Sequence, residues 1–243
     1  GSGGADVGQR YHEWSKPGVS DLGAAVQDWG DRPAGYKIYP NAPRLALPEP
    51  SPGEEMSVAS AIEARRSKRD YASGSLSQEA LSQLLHAASG ITAPDRGFRA
   101  APSAGALYPI ETYAVVQYVA GIDPGIYHYA VREHALEQIH AGDVRQRLVV
   151  AGLGQGMLGQ AQVTFVLSAI FQRTRWRYRQ RTYRYVLMEA GHIGQNIYLT
   201  ATAMGLGTCA VGAFLDQELN GLIGLDGREE AALYLFPVGK LVG

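Results

Sequence analysis

A run of five residues combines four cations with a hydroxyl group. It consists of Arg65, Arg66, Ser67, Lys68 and Arg69. Guanidinium groups offer planar forks of N–H donors that match phosphate oxygens, and their charge stabilises an anionic heterocycle. The alternative is that a helix ends here, because cations at a helix C-terminus complement its dipole while they stay solvated. The run is a candidate anion site.

A second segment places small residues between two prolines, just before a predicted strand. Its residues are Pro102, Ser103, Ala104, Gly105, Ala106, Leu107, Tyr108 and Pro109. Small residues let a backbone approach a flat ligand closely, and a serine hydroxyl there is free to hydrogen-bond it. An ordinary turn has the same composition, so this alternative stays open.

A third segment, Arg173–Arg184, holds six of the eighteen arginines, interleaved with aromatic residues. Such a pattern can bind single-stranded nucleic acid by backbone contacts and stacking. It can equally form a solvated face or a collar around an anionic ligand. The formal net charge of the whole chain is only −1, which disfavours nucleic acid as a partner.

Other chemistries lack their signatures. His128 and His192 are isolated from further ligand-type residues at metal-binding spacing, so we expect core or capping roles and no metal. The nucleophile-elbow, Walker and dinucleotide-binding glycine motifs are absent. Cys209, the single cysteine, lies in an apolar stretch, Cys209–Phe214, that predicts a strand and an inert thiol.

Composition predicts one large folded domain. The 243 residues are 46% hydrophobic and 19% charged, which is unlike a disordered chain. Residues 1–53 predict a tag remnant, Gly1–Gly4, followed by an extended arm that packs on the body, and residues 54–243 predict the body. No apolar run is long enough to span a membrane, and one cysteine requires no oxidising compartment, so we expect a cytoplasmic protein.

Periodicity predicts the elements that must position the three segments. Helices are expected from about Ser57, from Ser77 to Gly90, over residues 143–151, over Tyr183–Met204, and briefly before Ala232. Strands are expected at Thr112–Val119, Ile126–Tyr129, Val163–Ile170, Cys209–Phe214 and Ala232–Val238. The long helix has apolar or small residues on two faces, which predicts a place in a core or a dimer interface. The class is α+β with a mixed sheet.

Taken in order, the motifs resemble one family. They are Arg65–Arg69, Pro102–Glu111, Tyr183–Tyr185 leading into Glu189–Asn196, Gly205–Phe214 and Pro237–Lys240. This pattern resembles the FMN-dependent nitroreductase superfamily, specifically its SagB-type dehydrogenase branch of thiazoline and oxazoline oxidases. The similarity covers residues 57–240, and the arm is similar to that branch too.

The resemblance implies a homodimer whose long central helix lies at the interface, with two FMN sites built from both chains. Arg65, Arg66, Ser67, Arg69 and Lys240 would hold the phosphate, ribityl chain and pyrimidine edge. Pro102, Ser103, Ala104, Gly105 and Ala106 would approach from the partner subunit, and Val211 and Gly212 would face the ring. The superfamily often has asparagine where this chain has Ala106. A nearby arginine would stabilise the negative charge of reduced flavin.

The resemblance also singles out Arg177 and Tyr178. The branch carries a Lys-Tyr pair before the long helix, and Arg177-Tyr178 takes its place here. Tyr178 would remove a proton from the substrate ring, with the phenolate favoured by the adjacent cation. Arginine supplies charge but exchanges no proton near neutral pH. A packed or stacking aromatic is the alternative role for Tyr178.

The leading functional hypothesis is an FMN-dependent dehydrogenase of natural-product biosynthesis. It would oxidise an azoline or related cyclic imine to the aromatic azole, with oxygen reoxidising the flavin. The substrate would be a peptide or a carrier-bound small molecule, with other biosynthetic enzymes as possible partners. One alternative is an NAD(P)H-dependent reductase of nitro, quinone or enone compounds. Another is a scaffold without catalysis or an RNA-binding module.

Overall fold

A computed structural model describes residues 6–16, 18, 32–51 and 56–242 of the chain. The helices are α1 (Val7–Trp14), α2 (Val58–Ala64), α3 (Gln78–Ser89), α4 (Arg145–Ala151), α5 (Met157–Gln160), α6 (Gln172–Tyr178), α7 (Thr182–Ala203) and α8 (Asp216–Ile223). The strands are β1 (Arg44–Ala46), β2 (Ile91–Ala93), β3 (Phe98–Arg99), β4 (Ile110–Val116), β5 (Gly125–Ala130), β6 (Ala135–Ala141), β7 (Val163–Ile170), β8 (Leu206–Thr208) and β9 (Glu230–Lys240).

Seven strands form one sheet in the order β1-β6-β5-β4-β7-β9-β8, and β2 pairs with β3 in a separate ribbon. All neighbours in the large sheet pair antiparallel. Parallel pairing is limited, in the described part of the chain, to the isolated bridges Ser67–Thr208 and Leu76–Val119. Helices flank the sheet, so the predicted α+β class is confirmed.

The central strands are buried on both sides because both faces of the sheet are covered. In β4, Ile110 and Ala114 join the core beneath α3 and α7, whereas Tyr113 and Val115 join the core beneath α4 and α8. Side chains alternate between faces along a strand, so the burial of all of β4, Glu111 and Thr112 included, reflects cover on both faces. β7, in the middle of the sheet, has the bounds that the sequence predicts.

The helix α7 is the longest element, and it contacts both the basic run and the small-residue loop. One face is buried through Val186, Ala190 and Ile193, and Gly194 lets the ring of Phe236 approach closely. The second predicted face consists of Leu187, Gly191, Gly194 and Tyr198. Gly194 is buried and Tyr198 half-buried, whereas Gly191 and Leu187 are exposed, as is Met188 beside them. The described chain therefore covers the second face only in part.

Serine residues begin the two helices before the sheet. The Ser57 and Ser77 hydroxyls accept from the backbone N–H groups of Ser60 and Ala80, which satisfies donors that a first helical turn leaves free. Both helices start where the sequence predicts. Gly90 follows α3 as its C-terminal cap residue.

Several elements differ from the sequence prediction. The strand predicted at Cys209–Phe214 is wrong: the strand is the preceding β8, and only Val211 makes an isolated bridge, to Leu235. β8 pairs with β9 only over Val238–Lys240, and in segment 209–214 the contact with β9 is reduced to the two backbone hydrogen bonds between Val211 and Leu235. The arginine-rich segment forms α6, and β6 was not predicted. The glycine-rich junction after α4 contains the short α5.

The described parts of the arm lie against the body. The Ser82 hydroxyl donates to the carbonyl of Pro48, and the Lys37 ammonium reaches Glu230 at 2.5 Å. The predicted tag remnant, residues 1–4, and the end of the arm at Pro52 and Gly53 lie outside the described residues. The boundary between arm and body stays a prediction.

Candidate active site

The cationic run lies along the outer edge of the sheet. α2 ends at Ala64, and the chain then runs beside β8, where the Lys68 N–H donates to the carbonyl of Thr208 at 2.9 Å. Lys240 pairs with Leu206 across β8 and β9, on the same edge. We call Arg65–Arg69 together with Lys240 the basic edge. Among the described residues, none of its cations forms an ion pair with a carboxylate, so its charge is available to an anion.

Tyr198 of α7 joins the basic edge to the segment after β8. Its hydroxyl lies 2.8 Å from that of Ser67 and accepts the N–H of Ala210 at 2.7 Å. The guanidinium carbon of Arg65 lies 5.2 Å from the centre of its ring. Two segments that are about 140 positions apart in sequence therefore meet at one phenol, and Gly212 beyond them is exposed. The Val211 side chain, 3% exposed, packs into the core, so only its backbone is available to a ligand.

The loop between the two prolines is held from α7. The Ser103 hydroxyl donates to Glu189 at 2.5 Å and accepts the N–H of Tyr108 at 2.9 Å. The Ser103 hydroxyl proton is therefore already donated to Glu189, whereas the sequence predicted a hydroxyl that is free to hydrogen-bond a ligand. Gly105, Ala106 and Tyr108 have φ of 63°, 52° and 47°. Left-handed conformations in alanine and tyrosine are strained and concentrate at functional sites.

Arg177 and Tyr178 lie directly on this loop. A Cβ atom added at Gly105 would lie 2.9 Å from the Tyr178 hydroxyl and 3.1 Å from an Arg177 nitrogen. The guanidinium carbon of Arg177 is 5.5 Å from the centre of the Tyr178 ring, whose other contact is an edge-to-face packing on Tyr185. The candidate base, a cation and the strained loop thus form one cluster, and only glycine at position 105 leaves room for it.

Three other arginines of the cluster are engaged elsewhere in the fold, so they are not available for the ligand collar that the sequence offered as one alternative. Arg173 is buried and donates to Glu111 at 2.5 Å and to the carbonyl of Tyr108. Arg181 and Arg184 donate to the backbone or hydroxyl of Ser15, just after α1. These three arginines therefore stabilise the fold.

The two clusters are separated within one chain. Ser103 contacts Glu189, and Ser67 contacts Tyr198, nine positions later on α7. At 1.5 Å per residue these contacts lie about 14 Å apart along the helix axis. The Ser103 loop and the basic edge therefore contact α7 at two different levels.

A buried polar network ties the loop to the sheet. Glu111 receives Arg173 and, at 2.8 Å, Nε2 of His128. Nδ1 of His128 lies 2.9 Å from Glu137, which pairs with Arg44. His128 thus has the core role that the sequence predicts. No group of three or more potential ligands in the described ranges could hold a metal ion, and Cys209 is buried.

Comparison with known proteins identifies the family. The profile described as the nitroreductase family matches residues 62–240. The chain belongs to this family. None of the described helices combines the length and apolar character that a bilayer span needs.

Individual relatives refine this placement in the nitroreductase family. The chain is 40% identical over 189 residues to MJ1384 of Methanocaldococcus jannaschii, which is named as a nitroreductase, covering 78% of this chain and 93% of that protein. A nitroreductase structure from Anabaena variabilis has a TM-score of 0.78 and 31% identity, covering 95% of this chain and 45% of that one.

A third relative is named for the processing of microcin B17. The microcin B17-processing protein McbC of Escherichia coli is 32% identical over 151 residues, covering 58% of this chain and 55% of McbC. A chain of the McbBCD microcin synthetase complex with truncated pro-MccB17 bound has a TM-score of 0.68 and 28% identity, covering 82% of this chain and 78% of that one. These similarities support the SagB-type branch.

The donors at the basic edge fit the flavin mononucleotide that the family implies. Four of its six residues are exposed arginines or lysines without a carboxylate partner in the described chain, as a phosphate requires. The hydroxyls of Ser67 and Tyr198 and the open backbone at Gly212 add neutral donors and acceptors beside them. The residues present therefore suit a phosphate and an attached polar chain.

Glu189 is a site residue that the sequence analysis did not select. Burial raises the pKa of its carboxyl to about 7, although the hydrogen bond from Ser103 and the charge of Arg99 act in the opposite direction. It borders a small cavity of about 10 Å³, beside Arg99 and Tyr108, which is just enough for one water. The sequence did contain a signal for Glu189. It follows Val186 and precedes Ile193 at helical spacing, which predicts a carboxyl group on the buried face of the helix.

We expect Glu189 to make stability depend on pH. A carboxyl whose pKa is 4.5 when unfolded and about 7 when folded favours the folded state below pH 4.5 and loses that advantage as the pH rises to 7. The loss is of the order of 3 kcal/mol. Urea unfolding of the wild type and of Glu189→Gln, at about pH 5 and pH 8, measures it. The variant should lose this pH dependence; an unchanged difference between the two pH values would contradict the assignment.

Proposed function

We propose that the protein is an FMN-dependent dehydrogenase that oxidises an azoline, or a related cyclic imine, in a peptide to the aromatic azole, with oxygen as the final acceptor. The observation that carries this proposal is the contact of the Tyr178 hydroxyl and the Arg177 guanidinium with the strained loop at Gly105. It places a potential base beside a cation in a family whose members are oxidoreductases. The similarity to McbC, a microcin B17-processing protein, supports a peptide substrate.

The basic edge would hold the cofactor. Arg65, Arg66, Ser67, Arg69 and Lys240 would bind the phosphate and neighbouring polar groups, with the backbone of Val211 and Gly212 beside the ring. Pro102, Ser103, Ala104, Gly105 and Ala106 would approach from a second chain. When bound, FMN supplies a two-electron acceptor for the hydride that leaves the substrate ring.

Tyr178 would take the accompanying proton. As the phenolate, its oxygen would accept the proton that leaves the ring carbon, with the positive charge of the adjacent Arg177 beside it. Arg177 would supply positive charge and take no part in the proton transfer. The proton and the hydride together account for the two hydrogens that convert an azoline into an azole.

A homodimer would complete the site. The Ser103 loop and the basic edge, which would both bind the cofactor, lie at different levels of α7 in one chain, and a second copy would bring one against the other. Apolar side chains that a partner would cover are exposed on α2 and α7: Val58, Ile62, Leu187 and Met188. Other biosynthetic proteins are further candidate partners, as the McbBCD complex with truncated pro-MccB17 suggests.

The alternative is an NAD(P)H-dependent reductase of nitro, quinone or enone compounds, which the extensive similarity to MJ1384 favours. Anaerobic mixing of the flavin-loaded protein with NADPH separates the two activities. Rapid bleaching of the flavin would favour the reductase, whereas bleaching by an azoline peptide and not by NADPH would favour the dehydrogenase. Absence of flavin binding would contradict both.

Loss of two arginines of the basic edge should weaken flavin binding selectively. Charge-assisted hydrogen bonds to phosphate are worth more than neutral ones, so we expect the double variant Arg65→Gln/Arg69→Gln to bind FMN about 100-fold more weakly. Flavin fluorescence titration measures the affinity. Arg147→Gln, which alters an exposed arginine on the distant α4, is the control and should bind FMN like the wild type. Equal affinity in all three proteins would place the phosphate elsewhere.

A further inference from the structure

An open cleft of about 400 Å³ lies between α1 and the start of α7. It is lined by Trp14, Arg175, Arg179, Gln180 and Tyr183. Arg179 directly follows the candidate base Tyr178 in the chain, which links the cleft to the segment of the proposed chemistry.

The cleft contains two arginines of the segment that pair with neither a described carboxylate nor α1. Of the six in Arg173–Arg184, Arg173 pairs with Glu111, Arg181 and Arg184 hold the end of α1, and Arg177 lies over Tyr178. Arg175 and Arg179 are left. No carboxylate pairs with either in the part of the chain that the structure describes. No Asp or Glu occurs between Gln172 and Met188, so local sequence does not neutralise them.

The nearest acid on α1 is already engaged. Glu13 pairs with Lys16 at 2.6 Å, and this hydrogen bond and charge lower the pKa of its carboxyl. One guanidinium N–H of Arg175 donates to the Tyr183 hydroxyl at 3.1 Å, and the ring of Tyr183 packs on Phe171. Arg175 is thus oriented at the cleft wall, and its remaining donors are available to a ligand.

An indole forms the opposite wall. Trp14 is 49% exposed, although Arg181 and Arg184 fix the helix end that carries it. A large aromatic side chain that is held in place but left open to water is a typical contact for an apolar or aromatic ligand group. The cleft therefore joins two forked cations to an aromatic surface.

We propose that this cleft binds an acidic segment of the substrate peptide, with a carboxylate between Arg175 and Arg179 and a neighbouring side chain against Trp14. The inference rests on the proposed function in that the peptide is the substrate. Arginine forks match carboxylates bidentately. A peptide is favoured over RNA because the two arginines stand in one short cleft of a chain whose formal net charge is −1, whereas strand binding needs a continuous cationic track.

The test compares two fluorescein-labelled peptides by anisotropy at low ionic strength. One contains Glu-Phe-Glu in a glycine–serine background, and the other contains Gln-Phe-Gln. We expect the wild type to bind the acidic peptide about tenfold more tightly. Arg175→Gln/Arg179→Gln should lose this preference, and Trp14→Ala should weaken both peptides alike. Arg147→Gln, an exposed arginine outside the cleft, should keep the preference.

Three results would overturn the inference: equal affinity of the wild type for both peptides, a preference retained by the double variant, or tighter binding of a ten-nucleotide uridine RNA that the double variant loses. FMN titration of the same proteins separates this inference from the proposed function. Flavin binding without peptide preference defeats the cleft alone. Peptide preference without flavin binding defeats the proposed oxidoreductase and leaves the acidic-peptide cleft standing.

Discussion

Replacement of Tyr178 by phenylalanine should lower the rate of azoline oxidation by about 10²- to 10⁴-fold, the usual contribution of a positioned acid–base group. The change removes only the hydroxyl that lies against Gly105 beside Arg177. The ring that packs on Tyr185 is kept, so the fold and flavin binding should persist. Single-turnover bleaching of bound flavin by an azoline peptide, followed by its absorbance, measures the chemical step directly.

Two further variants test whether the rate depends on the position of the Tyr178 hydroxyl or only on the packing around it. Tyr185→Phe removes a neighbouring hydroxyl that bonds Arg181 and should leave the rate near that of the wild type. Gly105→Ala should reproduce the defect of Tyr178→Phe, because a Cβ would lie 2.9 Å from the hydroxyl and φ is +63°. Full turnover of a flavin-loaded Tyr178→Phe protein would remove Tyr178 from the mechanism and leave it a packing residue.

Glu111→Gln should destabilise the protein by about 3–5 kcal/mol, because it leaves a buried guanidinium without its counter-charge. Glu111 is 2% exposed and binds both Arg173 and His128. Burial by itself would raise its pKa, but the hydrogen bond from His128 and the charge of Arg173 outweigh burial and lower it. Because the pKa of Glu111 is lower in the folded state than in the unfolded state, its ionisation stabilises the folded protein above pH 4.5. This stabilisation is lost as the pH falls through the pKa that Glu111 has in the folded state.

Urea denaturation at neutral pH measures this effect. Glu133→Gln, an equivalent change in an exposed turn, is the matched control and should stay within about 0.5 kcal/mol of the wild type. Since Arg173 also donates to the carbonyl of Tyr108, a smaller activity loss should accompany the loss of stability. A Glu111→Gln protein as stable as the control would show that the network does not hold the loop.

Local pattern was sufficient for the elements that bury a regular face. The apolar spacing from Val186 to Ala201 marked α7 within one residue at each end, and the serines before α2 and α3 marked their starts. The apolar run Val163–Ile170 marked β7. These signals are local, because burial of one helix face or of both strand faces imposes its period on neighbouring residues.

Sequence pattern gave wrong or incomplete predictions where a residue's structure depends on a partner far away in sequence. The stretch Cys209–Phe214 has strand-like composition, yet after β8 it keeps only the isolated bridge from Val211 to Leu235 of β9. The alternating arginines of α6 resemble a solvated face, yet Arg173 points inward. The partner that makes its burial possible, Glu111, is 62 positions away and carries no local mark.

The candidate site shows the same division. The sequence alone determined the family, the basic run, the small-residue loop and the Arg177-Tyr178 pair, because those residue types suit an anionic cofactor and a proton transfer wherever they lie. Only the tertiary structure decided that Ser103 is held by Glu189, that the Tyr178 hydroxyl rests on Gly105, and that Arg175 and Arg179 stay open beside Trp14. Such contacts join distant segments, and their geometry depends on how the sheet and α7 bring those segments together.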